Sequence, residues 1–269
     1  MLIAQISDPH IRENREPVGP VDTALCLERA VAALNAFSPA IDAVLLSGDI
    51  GNDGSDAEYA IAREILGKLS MPLFVVPGNH DGRAPMRSAL GDLCPPILAG
   101  DFIQYSTDLG PVRLVAIDTL VEGKSEGGLC PARLDWLDRE LANASDRPVL
   151  LMMHHPPVAC GISQMDRIRL LEGAERFARI VAAHGPIERI VTGHVHRSIV
   201  RRFAGTVVQV CPGVAHQIEL ELDPAQPLAI RQEPPAFLLH VVDEDGSITS
   251  HDRAIGDFGR SITFREIFG

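Results

Sequence analysis

Five short apolar runs in this 269-residue chain each break off at a polar, turn-forming cluster, and that repeated punctuation limits the folds open to it. Leu2 to Ser7 runs into Asp8-Pro9-His10, Ala43 to Ser47 into Gly48-Asp49, and Leu73 to Pro77 into Gly78-Asn79-His80-Asp81. Val149 to Met153 runs into His154-His155-Pro156-Pro157, and Ile187 to Thr192 into Gly193-His194-Val195-His196. Short, mostly apolar runs bounded by turn residues suit strands buried on both faces, and Val112 to Ile117 is another of the kind. Apolar residues at helical spacing lie between several of them. Leu27, Val31 and Leu34 follow the candidate N-cap Asp22; Tyr59, Ala62, Ile65, Leu66 and Leu69 follow Asp56; Leu134, Leu137 and Leu141 follow Pro131. Strands alternating with helices predict an α/β fold with helices on the outer faces of a sheet.

The later part of the chain has a different rhythm. Ser198 to Phe203, Thr206 to Cys211, Ala236 to Val242 and Ser247 to Arg253 read as strands with short connections such as Ala204-Gly205 and Asp245-Gly246, which predicts antiparallel hairpins and a second sheet. The expected organisation is one catalytic domain over residues 1–269, with 212–269 completing the second sheet and contributing a small cap or subunit contact. Thr119 to Cys130 and the Pro-rich stretch from Asp223 to Pro235 are the candidates for a lid or a contact with a second copy.

Composition narrows the function. A 46% hydrophobic content with 22% charged residues fills a sizeable core and excludes long disorder. Acidic residues outnumber Lys and Arg by 36 to 24, a net charge of −12, so a general nucleic-acid binder is not expected. No run approaches the roughly 18 apolar residues of a membrane span, and Asp8 interrupts any signal-type apolar segment at the start, so a soluble cytoplasmic protein is expected. Cys26, Cys94, Cys130, Cys160 and Cys211 are odd in number and form no C-x-x-C pair, as reduced thiols would.

Taken singly, each polar cluster has an ordinary explanation: a loop Asp, a turn, a pair of histidines with one buried and one exposed. Together they place Asp, Asn and His at five strand ends, where α/β sheets assemble their ligand sites. Two divalent cations held close together need a shared carboxylate and further N or O donors from rigid elements. Asp8, Asp49, Asn79 and the histidines are that inventory; with no thiolate among them it suits Mn, Fe, Co or Zn.

The ordered set D-x-H, G-D, G-N-H-D, H-H-P-P and G-H-x-H, from Asp8 to His196, resembles the calcineurin-like metallophosphoesterase superfamily. Ser47-Gly48-Asp49-Ile50, Val76 to Asp81, Met153 to Pro157 and Pro212-Gly213-Val214-Ala215-His216-Gln217 resemble its bacterial class III cyclic nucleotide phosphodiesterase and glycerophosphodiesterase branch. The resemblance implies a four-layer α/β/β/α sandwich with two divalent metal ions. Asp8, His10, Asp49 and His196 would hold one, and Asp49, Asn79, His154 and His194 the other, with Asp49 as bridge and His155 supporting the loop. It further implies hydrolysis of a small phosphodiester by in-line attack of a metal-bound hydroxide, and a homo-oligomer. His80 would contact the phosphate and protonate the leaving alkoxide, and His216 would lie on the substrate side. One position departs from the pattern of the serine/threonine phosphatase branch: the carboxylate three residues after the G-D aspartate, which orients the catalytic histidine, is here Asn52, leaving Asp53 and Asp81 as candidate substitutes. A broad phosphomonoesterase and a non-catalytic interaction scaffold of the same fold are the alternatives. His184, His240 and His251 match no motif and are read as structural.

Overall fold

β1 (Leu2–Ile6) opens the chain and α1 (Thr23–Asn35) follows, its first turn closed by the Asp22 carboxylate, which accepts from the Leu25 N–H. β2 (Ala43–Leu46), α2 (Asp56–Leu66), β3 (Leu73–Val75) and α3 (Arg83–Leu90) continue the alternation, with Ser55 and Glu58 capping α2 reciprocally. β4 (Tyr105–Leu109) and β5 (Val112–Ala116) form a hairpin; the two-residue β6 (Gly127–Gly128) precedes α4 (Pro131–Asn143), which Pro131 opens. Next come β7 (Val149–Met152), α5 (Ser163–Asp166), β8 (Leu170–Glu172), α6 (Ala174–Ala183) and β9 (Ile187–Thr192). β10 (Ile199–Phe203), β11 (Thr206–Val210), β12 (Gln217–Ile218), β13 (Ile230–Arg231), β14 (Ala236–Val242), β15 (Ile248–Ala254) and α7 (Phe264–Phe268) complete the chain. The computed structural model describes residues 1–144, 147–185 and 187–269.

Two sheets carry the architecture, one in the order β15-β14-β1-β2-β3 and the other β10-β11-β9-β7-β5-β4. β1, β2 and β3 are parallel, as are β5, β7, β9 and β11, so the strand ends that carry polar clusters open on one side of each sheet. The two-residue period of a strand decides which layer each side chain joins. Leu114, Ala116, Leu150 and Met152 face the core shared with the first sheet, while Val115, Leu151 and Met153 pack with Leu134 and Leu137 of α4 and Phe177 of α6. Leu27, Val31 and Leu34 of α1 and Tyr59, Ala62 and Ile65 of α2 cover the other side of the first sheet. The result is the four-layer α/β/β/α sandwich.

The late hairpins do not both build the second sheet. β10 and β11 extend it through the parallel pairing of β11 with β9, but β14 and β15 join the first sheet, with β14 antiparallel to β1 over Leu2 to Gln5. Residues 212–269 therefore complete the first sheet and not the second. Hairpin patterning specifies local pairing; which open sheet edge accepts the hairpin is a tertiary choice.

One ion cluster fixes the loop that follows β5. The fully buried Asp118 carboxylate accepts from Arg83 at 2.7 and 3.0 Å and from the N–H groups of Ile103 and Leu120, with Arg133 Nη1 at 3.6 Å. Both guanidinium groups also lie over the Phe102 ring. Removing one partner strands the other charges in a desolvated setting. Asp118→Ala is expected to lower stability by about 3 kcal/mol or more in urea denaturation, whereas Asp92→Ala, which breaks the exposed Arg63 pair, is expected to change it little.

Candidate metal centre

Backbone geometry singles out the strand ends before any side chain is considered. Among the described residues eight non-glycine positions have positive φ, and five of them are Asp8, His10, Asp49, His194 and His196. Such conformations cost on the order of 1–3 kcal/mol each and persist where the surroundings impose them. Here they turn the side chains from the strand axes toward one point. Asp8, His10, Asp49 and His196 offer ligand atoms that all lie within 4.8 Å of one another, and all four are buried.

Asp49 stands between two donor groups. Its Oδ2 is 3.7 Å from His10 Nε2 on one side and 3.3 Å from His154 Nε2 on the other, while Oδ1 accepts from the His80 N–H at 2.9 Å. On the first side His196 Nε2 lies 3.6 Å from Asp8 Oδ1 and 3.1 Å from His10 Nε2. On the second, Asn79 Oδ1 is 3.3 Å from His154 Nε2, and the His194 ring centroid is 5.1 Å from that of His154.

Carbonyl groups set the tautomers. His154 Nδ1–H donates to Ser47 O at 2.7 Å and His196 Nδ1–H to His216 O at 3.0 Å, which leaves each Nε2 with a lone pair aimed into the site. His194 Nε2 is buried and has no hydrogen-bond partner among the described residues. Inward-facing imidazole lone pairs beside two buried carboxylates, with no lysine or arginine lining the cavity, fit divalent cations. Electrostatics say the same. Burial, and then repulsion from Asp49, push the Asp8 carboxyl up to about 7, and burial holds His194 down to about 3 and His196 to about 4. At His154 burial opposes the charged form, but Asp49 and then Asp8 outweigh it and raise it to about 9, the mark of a strongly negative setting.

The structure brings all of the sequence-predicted positions to one cavity. Its volume is ≈ 240 Å³, and His10, Asp49, Asn79, His80, His194, His196 and His216 line it. Asp8 and His154 lie beneath that floor, each fully buried. The His216 ring is 4.7 Å from that of His196, with a buried, unbonded Nδ1. His155 is adjacent to His194 but spent: Thr119 Oγ1 lies 2.8 Å from its Nδ1 and Ser125 O 3.2 Å from its Nε2.

His80 is oriented by neither Asp53 nor Asp81. Its Nδ1–H donates to the backbone carbonyl of Asn52 at 2.6 Å, so the residue that breaks the expected pattern supplies the acceptor from its main chain. Asp81 instead accepts from the N–H groups of Ile50, Gly51 and Gly78 and from the Tyr59 hydroxyl, stapling the Asp49 turn to the His80 turn. The sequence also left unmarked the aliphatic wall of Val18, Met165, Ile168 and Ile218, which Leu228 completes from the Asp223 to Pro235 stretch expected to form a lid or a contact. These five come from separate loops and short elements, where periodicity gives no signal.

Gly78 marks how closely the turns approach, since a Cβ there would sit 2.1 Å from Asp49 Oδ1. Gly78→Ala is expected to displace the Asp49 carboxylate and leave the purified protein with less than half the wild-type cation content by elemental analysis, while circular dichroism keeps its wild-type form.

Comparison with known proteins agrees with this geometry. The family model of calcineurin-like phosphoesterases matches residues 1–198. The chain is 34% identical over 242 residues to the glycerophosphodiester phosphodiesterase GpdQ of Enterobacter lignolyticus, covering 89% of this chain and 86% of that protein. It is 32% identical over 222 residues to the 3',5'-cyclic adenosine monophosphate phosphodiesterase CpdA of Pseudomonas aeruginosa, covering 79% of each. Among solved structures, a dimetal phosphatase from Danio rerio shares the fold, with a TM-score of 0.69 at 18% identity over 95% of this chain and 99% of that one. By sequence, fold and the residues gathered at its strand ends, the chain belongs to the calcineurin-like phosphoesterase family.

Proposed function

We propose that this protein is a binuclear metal-dependent phosphodiesterase acting on a small phosphodiester, either a 3′,5′-cyclic nucleotide such as cAMP or a glycerophosphodiester. The observation that carries the reading is Asp49, one carboxylate within reach of both donor groups. In this reading Asp8, His10, Asp49 and His196 hold one divalent cation, and Asp49, Asn79, His154 and His194 hold the other; Mn, Fe, Zn and Co all suit these ligands. Cations bound there supply positive charge against the phosphoryl oxygens and lower the pKa of a water for in-line attack.

The remaining steps belong to the chain's own side chains. His80, hung from Asn52 by Nδ1, presents Nε2 to the cavity, and a proton held on that atom is the one passed to the departing alkoxide. His216 binds on the substrate side, next to His196. Val18, Met165, Ile168, Ile218 and Leu228 exclude water and receive the alcohol portion. A diester carries a single negative charge, which suits a cavity lined by no lysine or arginine. The two relatives named above, whose names specify diester hydrolysis, support the same class.

With Mn²⁺ present, kcat/KM for bis(p-nitrophenyl) phosphate is expected to exceed that for p-nitrophenyl phosphate, and a chelator to abolish both activities. A large preference for the monoester would favour a phosphomonoesterase, and absence of bound metal after growth with Mn, Fe or Zn would favour a non-catalytic scaffold. His80→Ala is expected to keep its cations and to lose about 10²- to 10⁴-fold in turnover. The loss is expected to be greater for alkyl than for nitrophenyl leaving groups, because a poor leaving group needs the proton; an equal loss would make His80 a phosphate binder instead.

A further inference from the structure

Gln5 is a fully buried amide in the middle of β1, between Ala4 and Ile6, where the pattern of the strand calls for another apolar residue. Burying an amide is unfavourable unless its groups are bonded, and here they are. Its Nε2 donates to Ser47 Oγ and to Thr192 O, both at 2.9 Å, and its Oε1 accepts from His240 Nε2 at 3.3 Å. A single side chain thus ties together elements of two sheets, and two of its three contacts, Ser47 and Thr192, lie just before candidate ligands. Gln5 itself precedes Asp8 on β1, Ser47 precedes Asp49 after β2, and Thr192 ends β9 before His194. Ser47 O is also the acceptor that fixes the His154 ring.

The contacts form a polarised chain. Arg189 Nη1 donates to Ser250 Oγ at 2.8 Å, and the Ser250 hydroxyl donates to His240 Nδ1 at 2.7 Å. His240 Nε2–H donates to Gln5 Oε1, Gln5 Nε2 to Ser47 Oγ, and the Ser47 hydroxyl to Ser7 Oγ at 2.8 Å, one residue before Asp8. Every link donates in the same direction, starting from a guanidinium, so each bond strengthens the next. The chain also fixes the His240 tautomer and the orientation of the Gln5 amide, because Thr192 O can only accept.

We propose that Gln5 is a positioning residue for the metal centre, holding the β1, β2 and β9 strand ends at the separation that lets the two ligand groups meet at Asp49, with His240 fixing its amide from behind. This rests on the cation site proposed above, and it concerns a residue that touches neither cation nor substrate.

The test uses chelator-stripped full-length protein, titrated with Mn²⁺ in a calorimeter, alongside Tm of the stripped protein and kcat and KM on bis(p-nitrophenyl) phosphate. Gln5→Met keeps the length of the side chain and removes its hydrogen bonds. The expected result is cation affinity weakened by about 10- to 100-fold, with kcat reduced at limiting Mn²⁺, recovered at excess Mn²⁺, and KM unchanged. Wild-type affinity in folded Gln5→Met would overturn the proposal, whatever the change in Tm. Should Gln5→Met fail to fold, His240→Leu decides: weakened affinity supports the chain, and wild-type affinity overturns it. Wild-type protein that binds Mn²⁺ but hydrolyses no diester would refute the proposed function and leave this inference standing.

Discussion

Everything about this molecule's site depends on one carboxylate being shared. Asp49 has one oxygen turned toward His10 and His154 and the other tied to the His80 N–H, and its backbone is held in the left-handed region. Burial alone would keep its carboxyl protonated; His154 foremost, and then His10, instead hold it well below the usual carboxylate range. An ionised acid at the meeting point of two histidine groups is what a pair of cations requires. The rest of the fold keeps that point in place. Asp81 staples the turns on either side of it, glycine at position 78 leaves room for it, and the two parallel strand sets aim their ends at it.

Much of this was legible in the sequence, and for a physical reason. A parallel α/β sheet converts residues far apart in the chain into neighbours at strand ends, so short apolar runs followed by Asp, Asn or His mark the site residue by residue. Asp8-x-His10, Gly48-Asp49, Asn79-His80, His154-His155 and Gly193-His194-x-His196 all converge as those runs imply. Three features were not legible. The acceptor for His80 is a main-chain carbonyl, which exists whatever side chain stands at 52, so no residue type could announce it. The sheet that receives β14 and β15 depends on which edge is open, and the hairpin pattern is the same in either place. The aliphatic cavity wall is assembled from separate loops with no shared period.

The acidic composition takes on a different meaning in the folded chain. A net charge of −12 argues against a surface that attracts phosphate, and the cavity, lined by no lysine or arginine, gathers a cation-binding set of ligands instead. Divalent cations held by these residues would supply the positive charge at the phosphoryl group, while the acidic remainder of the surface stays unsuited to long polyanions. In the function proposed above, the aliphatic side of the cavity would receive the part of the substrate that carries no charge.

Diffraction from crystals grown with Mn²⁺, recorded for the anomalous signal of manganese, tests most directly whether Asp49 is shared by two cations. Two anomalous peaks per chain are expected, one among Asp8, His10, Asp49 and His196 and the other among Asp49, Asn79, His154 and His194, with Asp49 a ligand to both. A single peak, or a peak held by His155 or His216 in place of Asp49, would contradict it.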